Sequence, residues 1–198
     1  MHVLHASKKY QLKALENLCV KFLNKELNAA NACSILEHSR FFNEKELENR
    51  CMEVIEAQTK EAFSSDGFSE MSRDTLMSVL KSDYLRLPEY DLFRYVFFWG
   101  KKRVTDTSAI REALGDVLFQ IRFPIMSPEV FSDNVCPTKI LTSDEQLQIY
   151  RYLTSKKKED CKPKKFVCEP RKQCIRYNTP TSSTSSSYHG KKIILNNL

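Results

Sequence analysis

Residues 87–126 constrain the fold of this chain more than any other segment. Four apolar side chains fall at the offsets of one helical face, namely Leu92, Phe93, Val96 and Phe97. Three further aromatic residues lie on the remaining face: Tyr95, Phe98 and Trp99. Pro88 is placed to start this helix in its first turn. A helix that is apolar around most of its circumference has to be covered by neighbouring elements on several sides.

A second helix is predicted over residues 110–121, where it would cover part of the first. Its apolar positions follow helical spacing: Ile110, Leu114, Val117, Leu118 and Ile121. Pro124 disfavours helical geometry in the residue before it, so this helix is expected to stop near Arg122 and Phe123.

The composition favours a helical protein without a membrane span. Only 4 glycines occur among 198 residues, which disfavours sandwiches, barrels and phosphate-binding loops. No apolar run approaches the length that a membrane span requires. Residues 1–15 lack the apolar core of a signal peptide, and seven cysteines occur without a short repeating spacing. The expected location is the cytoplasm, with the nucleus as the alternative.

The net charge of +6 is concentrated at the C-terminal end of the sequence. Residues 156–198 contain 11 Lys/Arg and 3 Asp/Glu, which gives +8, whereas the remaining 20 and 22 give −2. Lysines and a Thr/Ser run predict a solvated, extended linker here, with a strand-like patch at residues 193–195. Nucleic-acid binding through this tail remains an alternative, although aromatic residues for base stacking are sparse.

Short amphipathic helices are predicted along the rest of the chain. Residues 2–10 resemble the closing turns of a helix whose start lies upstream, and a one-sided helix follows from residue 11 to about residue 27. Its apolar stripe comprises Leu12, Leu15, Cys19, Phe22 and Leu23. Helix starts are predicted at Asn28, Asn43 with Glu46, Ser72, Ser127, and Thr142 with Glu145, and a turn at Asp66 and Gly67.

No catalytic or metal site emerges from the residue spacing. Cys33 and His38 are five residues apart and therefore do not share a helical face. The set nearest to a zinc site lacks the short C-x2-4-C pairs of structural zinc sites: Cys161, Cys168, Cys174 and His189. The prediction is a non-enzymatic protein without a cofactor.

The order of residues resembles that of the BTB-BACK-PHR family. Residues 6–10 with Leu15, Cys19 and Phe22 resemble the closing helices of a BTB/POZ domain. The start of a BACK domain is matched by Asn31, Ala32, Cys33, Ile35, Leu36, Ser39, Arg40, Phe42, Glu44 and Leu47. The match continues in order through Phe63, Gly67, Leu76, Trp99, Leu114, Gly115, residues 121–126, Phe131 and Thr142. Weaker similarity to the approach to a PHR domain follows at Pro163, Phe166, Arg171 and Tyr177.

The resemblance implies an all-α fold with three regions. These are the C-terminal helices of a truncated BTB/POZ domain at residues 1–27, a BACK domain of helical pairs at 28–155, and a basic, mostly irregular tail at 156–198 that opens a truncated PHR domain. The N-terminal part of the BTB domain and most of the substrate domain are absent from the sequence.

The function implied by the resemblance is that of a substrate adaptor for a cullin-3 ubiquitin ligase. Its partners would be the cullin-3 scaffold, a substrate protein, and full-length BTB-BACK relatives. The helices at residues 28–40 and 43–62 would form the cullin side, and the candidate residues for the groove or its support are Tyr10, Ile35, Phe41 and Phe42. Two alternatives remain: a truncated competitor or scaffold that cannot bridge ligase and substrate, and the nucleic-acid binder described above.

Overall fold

The computed structural model describes residues 2–104, 106 and 109–172, and the regular structure within these residues is entirely helical. The all-α prediction is therefore confirmed. The α-helices are α1 (His2–Lys9), α2 (Lys13–Glu26), α3 (Ala29–Phe41), α4 (Lys45–Ala57), α5 (Thr59–Phe63), α6 (Asp66–Glu70), α7 (Arg73–Leu80), α8 (Glu89–Lys101), α9 (Ile110–Leu114), α10 (Pro128–Val130) and α11 (Ser143–Thr154). Short 3-10 helices and one π-helical turn connect the later elements. The strand-like patch at residues 193–195 lies outside the described residues.

Helix α8 lies at the centre of the hydrophobic core, as its aromatic content predicts. Leu92, Phe93 and Val96 are buried, and Phe97 is partly buried. The Trp99 indole is buried and donates from Nε1 to the carbonyl oxygen of Met71 at 3.0 Å. This bond satisfies the one polar atom of the indole inside the core.

Helix α8 is packed on most of its circumference, as predicted, and Phe98 lies on the part that is not covered. Its side chain is 53% exposed, and the Lys102 amine lies 5.2 Å from its ring centroid. Phe98 follows the exposed Arg94 by one helical turn. This stripe of α8 faces solvent because the neighbouring helices pack on the opposite side.

The single helix predicted over residues 110–121 is interrupted at Gly115. Helix α9 ends at Leu114, and a 3-10 helix continues from Gly115 to Gln120. Gly115 adopts φ +52° and ψ −129°, a conformation that is essentially restricted to glycine. The predicted apolar positions are nevertheless buried, so the pattern identified the inward face but not the helix type.

Replacing Gly115 by alanine is expected to lower the free energy of unfolding by about 1–3 kcal/mol, because a Cβ atom is strained at this φ. The added Cβ would also lie 3.0 Å from Nη1 of Arg73. Urea denaturation measures the loss, and Asp116→Ala at the next, exposed position serves as the control. Equal stability of Gly115→Ala and the native chain would contradict the strain.

The predicted caps are mostly confirmed. Asn28 caps α3 by accepting from the Ala30 amide at 3.0 Å, and Ser72 caps α7. Ser127 caps α10, and Thr142 forms a capping box with Glu145 on α11. The predicted capping box of Asn43 is wrong, because α4 begins at Lys45 and makes no side-chain cap.

The turn predicted at Asp66 and Gly67 is also wrong, because both residues belong to α6. A Cβ on Gly67 would lie 2.3 Å from Oγ of Ser34. Glycine therefore allows α6 to pack directly against α3, which is a packing role and not a turn role.

Helix α2 does not bury the stripe that its sequence predicts. None of its residues is buried, and the side chains of Leu18 and Phe22 are 63% and 62% exposed. Within the described residues, α2 packs against α1 and against α4. A large apolar face of α2 is thus left uncovered.

Residues 158–172, termed the C-terminal segment, fold onto the helical body, so the prediction of a solvated linker is wrong for this part. Phe166 is buried and packs edge-on against Phe119 and Phe123, with ring centroids 5.4 and 5.7 Å apart. Pro163 and Cys168 are buried as well. The segment contributes apolar residues to the core in spite of its lysines.

The buried guanidinium of Arg171 attaches the C-terminal segment to the body. Its Nε donates to Oε1 of Glu89 at 2.6 Å, and neither side chain is more than 2% exposed. Nη1 donates to the carbonyl oxygen of Leu80 at 2.8 Å, and Nη2 donates to that of Gln120 at 3.2 Å. The second carboxylate oxygen of Glu89 accepts from the Arg122 amide at 3.1 Å. Both buried charges are therefore paired and hydrogen-bonded.

Arg122 forms a second attachment beside Arg171. Its Nη1 donates to the carbonyl oxygen of Glu169 at 2.9 Å, and its Nη2 pairs with Asp83. The backbone amide of Lys172 donates to the carbonyl oxygen of Asp83 at 2.8 Å. Two arginines and two acidic residues thus hold the segment against the α7–α8 connection.

We expect Arg171→Met to lower the free energy of unfolding by about 3–5 kcal/mol, because it leaves Glu89 buried without a counter-ion. The double variant Glu89→Gln, Arg171→Met is expected to recover part of this loss, since it removes the buried charge as well. Urea denaturation measures both. Lys172→Met is the matched control, because Lys172 is exposed and lies 3.8 Å from Asp83. A small loss for Arg171→Met, similar to that of the control, would refute the role of the pair.

Candidate protein-interaction surface

A surface cleft of about 630 Å³ lies between α1 and the C-terminal half of α3. It is termed the α1–α3 cleft. Its lining residues are His2, His5, Glu37, His38, Phe41 and Phe42. Two phenyl rings and three imidazoles give it a mainly apolar surface with a few polar atoms, which is the usual character of a binding site.

The aromatic side of the cleft is built from consecutive residues at the end of α3. The rings of Phe41 and Phe42 meet edge to face with centroids 5.0 Å apart, and His5 of α1 lies 5.6 Å from Phe42. Phe41 is 79% exposed, which makes it the most exposed large apolar side chain in the described part of the chain. A phenyl ring held in this exposed position is available to a partner.

Lys8 holds the two sides of the cleft together. Its amine donates to the carbonyl oxygen of Phe42 at 3.0 Å, pairs with Glu44, and lies 3.3 Å from Glu16. These contacts link α1 to α2 and to the turn that follows α3. Burial alone would lower the pKa of Lys8, but hydrogen bonds to Glu44 and Glu16 outweigh it and hold the pKa above its usual range.

Some polar groups of the cleft already form hydrogen bonds within the chain. His38 Nδ1 lies 2.7 Å from the carbonyl oxygen of Ser34, so this nitrogen carries the proton and donates it. Glu37 accepts from the amide and hydroxyl of Ser72 at 2.9 and 3.0 Å. Nε2 of His38 is therefore the ring nitrogen left to face a partner or solvent.

The four candidate residues chosen from the sequence occupy different environments. Phe41 and Phe42 line the cleft, whereas Ile35 is 5% exposed and belongs to the hydrophobic core. Tyr10 is 66% exposed and lies outside the cleft lining, with the Lys9 amine 5.6 Å from its ring. The structure thus brings two of them together, and their role in binding stays a prediction.

The three cleft histidines were not identified as candidates from the sequence. His2 and His5 are spaced three apart on α1, and His38 precedes Phe41 by three on α3. These spacings were available as a signal that each pair shares a helical face. The position of α1 beside the end of α3, which brings the two pairs together, could not be derived from spacing within one helix.

A second, smaller concavity of about 310 Å³ lies between α1 and α2. Its lining is apolar throughout: Val3, Leu4, Leu18, Cys19, Phe22 and Leu23. Its lining includes much of the apolar face of α2 that the described residues leave exposed.

The chemistry of the described side chains gives little support to catalysis. Burial raises the pKa of Cys33 to about 12, and its thiol donates to the carbonyl oxygen of Ala62 at 3.4 Å. A thiol in this state is a poor nucleophile at neutral pH. Within the described ranges, no three His, Cys, Asp or Glu side chains are grouped so that they could hold a metal ion. Cys174 and His189 of the weak zinc set lie outside those ranges.

None of the described helices is long and apolar enough to cross a membrane.

Comparisons with known proteins identify a matching family model and several relatives. Residues 32–136 match the family model described as BACK, BTB And C-terminal Kelch. The chain is 40% identical over 162 residues to BTB/POZ domain-containing protein 6 of Mus musculus, which covers 78% of this chain and 30% of that protein. It is 39% identical over 158 residues to BTB/POZ domain-containing protein 6-A of Danio rerio, covering 77% and 29%. BTB/POZ domain-containing protein 3 of Mus musculus is 35% identical over 178 residues, covering 87% and 33%.

The chain belongs to the BACK family. Proteins that combine BTB and BACK domains are generally non-enzymatic protein-interaction modules. It spans about a third of the length of the curated relatives it matches. The boundaries at residues 27/28 and 155/156 stay predictions.

We expect Lys8→Met to loosen α1 and to destabilise the chain by about 1 kcal/mol or less, because the amine is a quarter exposed and partly screened. The raised pKa means that the Lys8 contribution is complete below the ordinary lysine pKa and is lost as the pH rises beyond it. Hydrogen exchange of the α1 amides measures the loosening. Lys9→Met is the control, since Lys9 contacts only the exposed ring of Tyr10 among the described contacts. Unchanged exchange in α1 of Lys8→Met would contradict this role.

Proposed function

We propose that this chain is the BACK-centred part of a substrate adaptor for a cullin-3 ubiquitin ligase, and that α1, α3 and the start of α4 contribute to the cullin-binding surface. The observation that carries the proposal is the α1–α3 cleft with the 79% exposed Phe41 at its edge. Family membership supports an interaction role, and the resemblance described above supports the choice of cullin-3 and of a PHR-type C-terminal domain. A cytoplasmic location belongs to the same proposal.

The form of the cleft suits a protein segment better than a small metabolite. It is open along the surface between two helices, and its principal apolar groups are neighbouring phenyl rings on α3. Exposed aromatic residues at a concave site often contribute much of the binding energy of protein interfaces. Ile35 would support this surface from below, because it is buried directly in the α3 packing.

The attachment of the C-terminal segment to the helical body supports an adaptor role, because it fixes the position of residue 171 relative to α8. An adaptor has to hold one partner at a defined position relative to another, and Arg171 holds the described end of the chain against Glu89.

A second candidate function is association with longer BTB/POZ relatives, in which this chain acts as a competitor or scaffold. The uncovered face of α2 favours it, because Leu18 and Phe22 are more than half exposed. Size-exclusion chromatography of this chain mixed with a full-length relative tests this association. Separate elution of the two proteins would remove this candidate.

Nucleic-acid binding through the tail receives less support than the composition suggests. Arg171 is buried, Lys162 pairs with Glu169 at 2.7 Å, and Lys172 lies near Asp83. These three cations are therefore less available to phosphates than they would be in a solvated linker. Replacing the exposed lysines of this region by glutamine leaves Arg171 in place: Lys156, Lys157, Lys158, Lys164 and Lys165. Unchanged polyanion binding of this variant at low salt would count against nucleic-acid binding through these residues.

Phe41→Ala is expected to weaken binding to the N-terminal region of cullin-3 by about tenfold, because the exposed ring is removed from the cleft. Tyr10→Ala is expected to act in the same direction. Isothermal titration calorimetry measures both affinities, and thermal unfolding is expected to stay unchanged because both side chains are exposed. Phe98→Ala is the matched control, since Phe98 is 53% exposed on α8 and does not line the cleft. Absence of binding by the native chain, or equal losses in Phe41→Ala and Phe98→Ala, would reject the proposed surface.

A further inference from the structure

The hydroxyl of Ser69 lies at the surface beside two cations at the end of helix α8. The Lys102 amine donates to Oγ of Ser69 at 3.1 Å, and Nη1 of Arg103 donates to the carbonyl oxygen of the same residue at 3.0 Å. Ser69 is the penultimate residue of α6, and its Oγ donates to the carbonyl oxygen of Asp66 at 2.9 Å. Two positive groups from one helix end thus converge on a neutral residue of another helix.

Both cations are held beside α6 by contacts of their own. The Arg103 guanidinium lies 3.5 Å from the ring centroid of Trp99 and donates to the carbonyl oxygens of Trp99 and Met71 at 3.0 and 2.6 Å. The Lys102 amine lies 5.2 Å from the ring centroid of Phe98. Aromatic rings and carbonyl oxygens, and not a carboxylate, therefore fix the positions of the two positive charges.

No acidic side chain neutralises this pair of cations. Among the described residues, neither Lys102 nor Arg103 lies within ion-pair distance of a carboxylate. Partial burial lowers the pKa of Arg103, and the charge of Glu37 offsets this only in part. Asp66 and Glu70 are exposed, so solvent screens their charges. The surface around the Ser69 hydroxyl is therefore suited to an anion that two cations can share.

We propose that Ser69 is a phosphorylation site and that Lys102 and Arg103 bind the phosphate once it is attached. The donor is ATP. The O–H bond of Ser69 and the bond between the γ-phosphorus and the ADP oxygen break, a bond between Oγ and phosphorus forms, and the proton passes to a base of the kinase. Asp66 lies three residues before Ser69 and Glu70 one residue after it, which favours a serine kinase with a cationic substrate-binding site.

The attached phosphate would connect α6 to the end of α8. A phosphoserine side chain carries a charge of about −1.5 to −2 at neutral pH and three strong acceptor oxygens. The Lys102 amine already lies 3.1 Å from Oγ, so it can bond to the phosphate without a movement of either helix. Three of the five N–H donors of Arg103 are used by carbonyl oxygens, which leaves two for the phosphate. These bonds would reduce local opening of α6, a helix of only 5 residues.

The first test asks whether Ser69 is modified. The folded 198-residue chain is incubated with ATP in an extract of vertebrate cells, and the peptide of residues 61–73 is analysed by tandem mass spectrometry. This peptide contains four serines, which fragmentation distinguishes: Ser64, Ser65, Ser69 and Ser72. Phosphate is expected on Ser69 and is expected to be absent from that position in Ser69→Ala. Phosphate only on the other three serines, or none on this peptide, would overturn the proposal.

The second test asks whether the two cations bind the phosphate, and it uses the chain produced with phosphoserine at position 69. Phosphorus NMR during a pH titration measures the second pKa of the phosphate, which is ordinarily about 6. The neighbouring cations stabilise the dianion, so this pKa is expected to be lower by about one unit. Lys102→Gln is expected to recover about half of the shift. Lys101→Gln is the matched control, since Lys101 is exposed on the same helix end.

A second phosphorylated chain shows what the phosphate does without cations. Phosphoserine at position 132 serves here, because the Ser132 hydroxyl faces the Asp133 carboxylate at 3.1 Å. An equal second pKa at positions 69 and 132, or equal effects of Lys102→Gln and Lys101→Gln, would overturn the binding of the phosphate by the two cations. Circular dichroism verifies that each chain stays folded. Failure of either test leaves the cullin-3 proposal standing, since neither Ser69 nor Lys102 lines the α1–α3 cleft.

Discussion

The burial of helix α8 is the constraint on which the rest of the structure depends. A helix with Leu92, Phe93, Val96 and Trp99 on its inner side cannot face water, so several short helices and the C-terminal segment pack around it. Trp99 shows how this packing is completed, because its indole N–H donates to the Met71 carbonyl and the Arg103 guanidinium lies 3.5 Å from its ring centroid. The Trp99 side chain therefore contacts the core through its N–H and a partly exposed arginine through its ring face.

Sequence periodicity predicted the helices better than it predicted what they contact. Asn28, Ser72 and Thr142 identified helix starts correctly, since capping is a local interaction between a side chain and nearby amides. The helix break at Gly115 was not predicted, because its positive φ depends on the surrounding packing and not on the apolar spacing of its neighbours. The apolar stripe on α2 correctly predicted a helix. No residue of this helix is buried by the described part of the chain.

The candidate site shows a similar division. Phe41 and Phe42 were selected through the family resemblance, and they line the cleft. The contribution of His5 and His38 depends on how two helices cross, which residue spacing within one helix cannot specify. The C-terminal segment is the clearest difference, because its lysines indicated a solvated linker while Phe166 and Arg171 were the residues that determined its position. The contacts of these two side chains determined the position of the segment, which its average composition did not predict.

The Arg171–Glu89 pair also has a consequence for biosynthesis. The two residues are separated by 82 positions, so Glu89 is made long before its counter-ion exists. During translation the α7–α8 region therefore carries an unmatched acidic group that disfavours its final dehydrated packing. Closure of this region is therefore favoured only once residue 171 has left the ribosome, so the region is completed as one unit and not helix by helix.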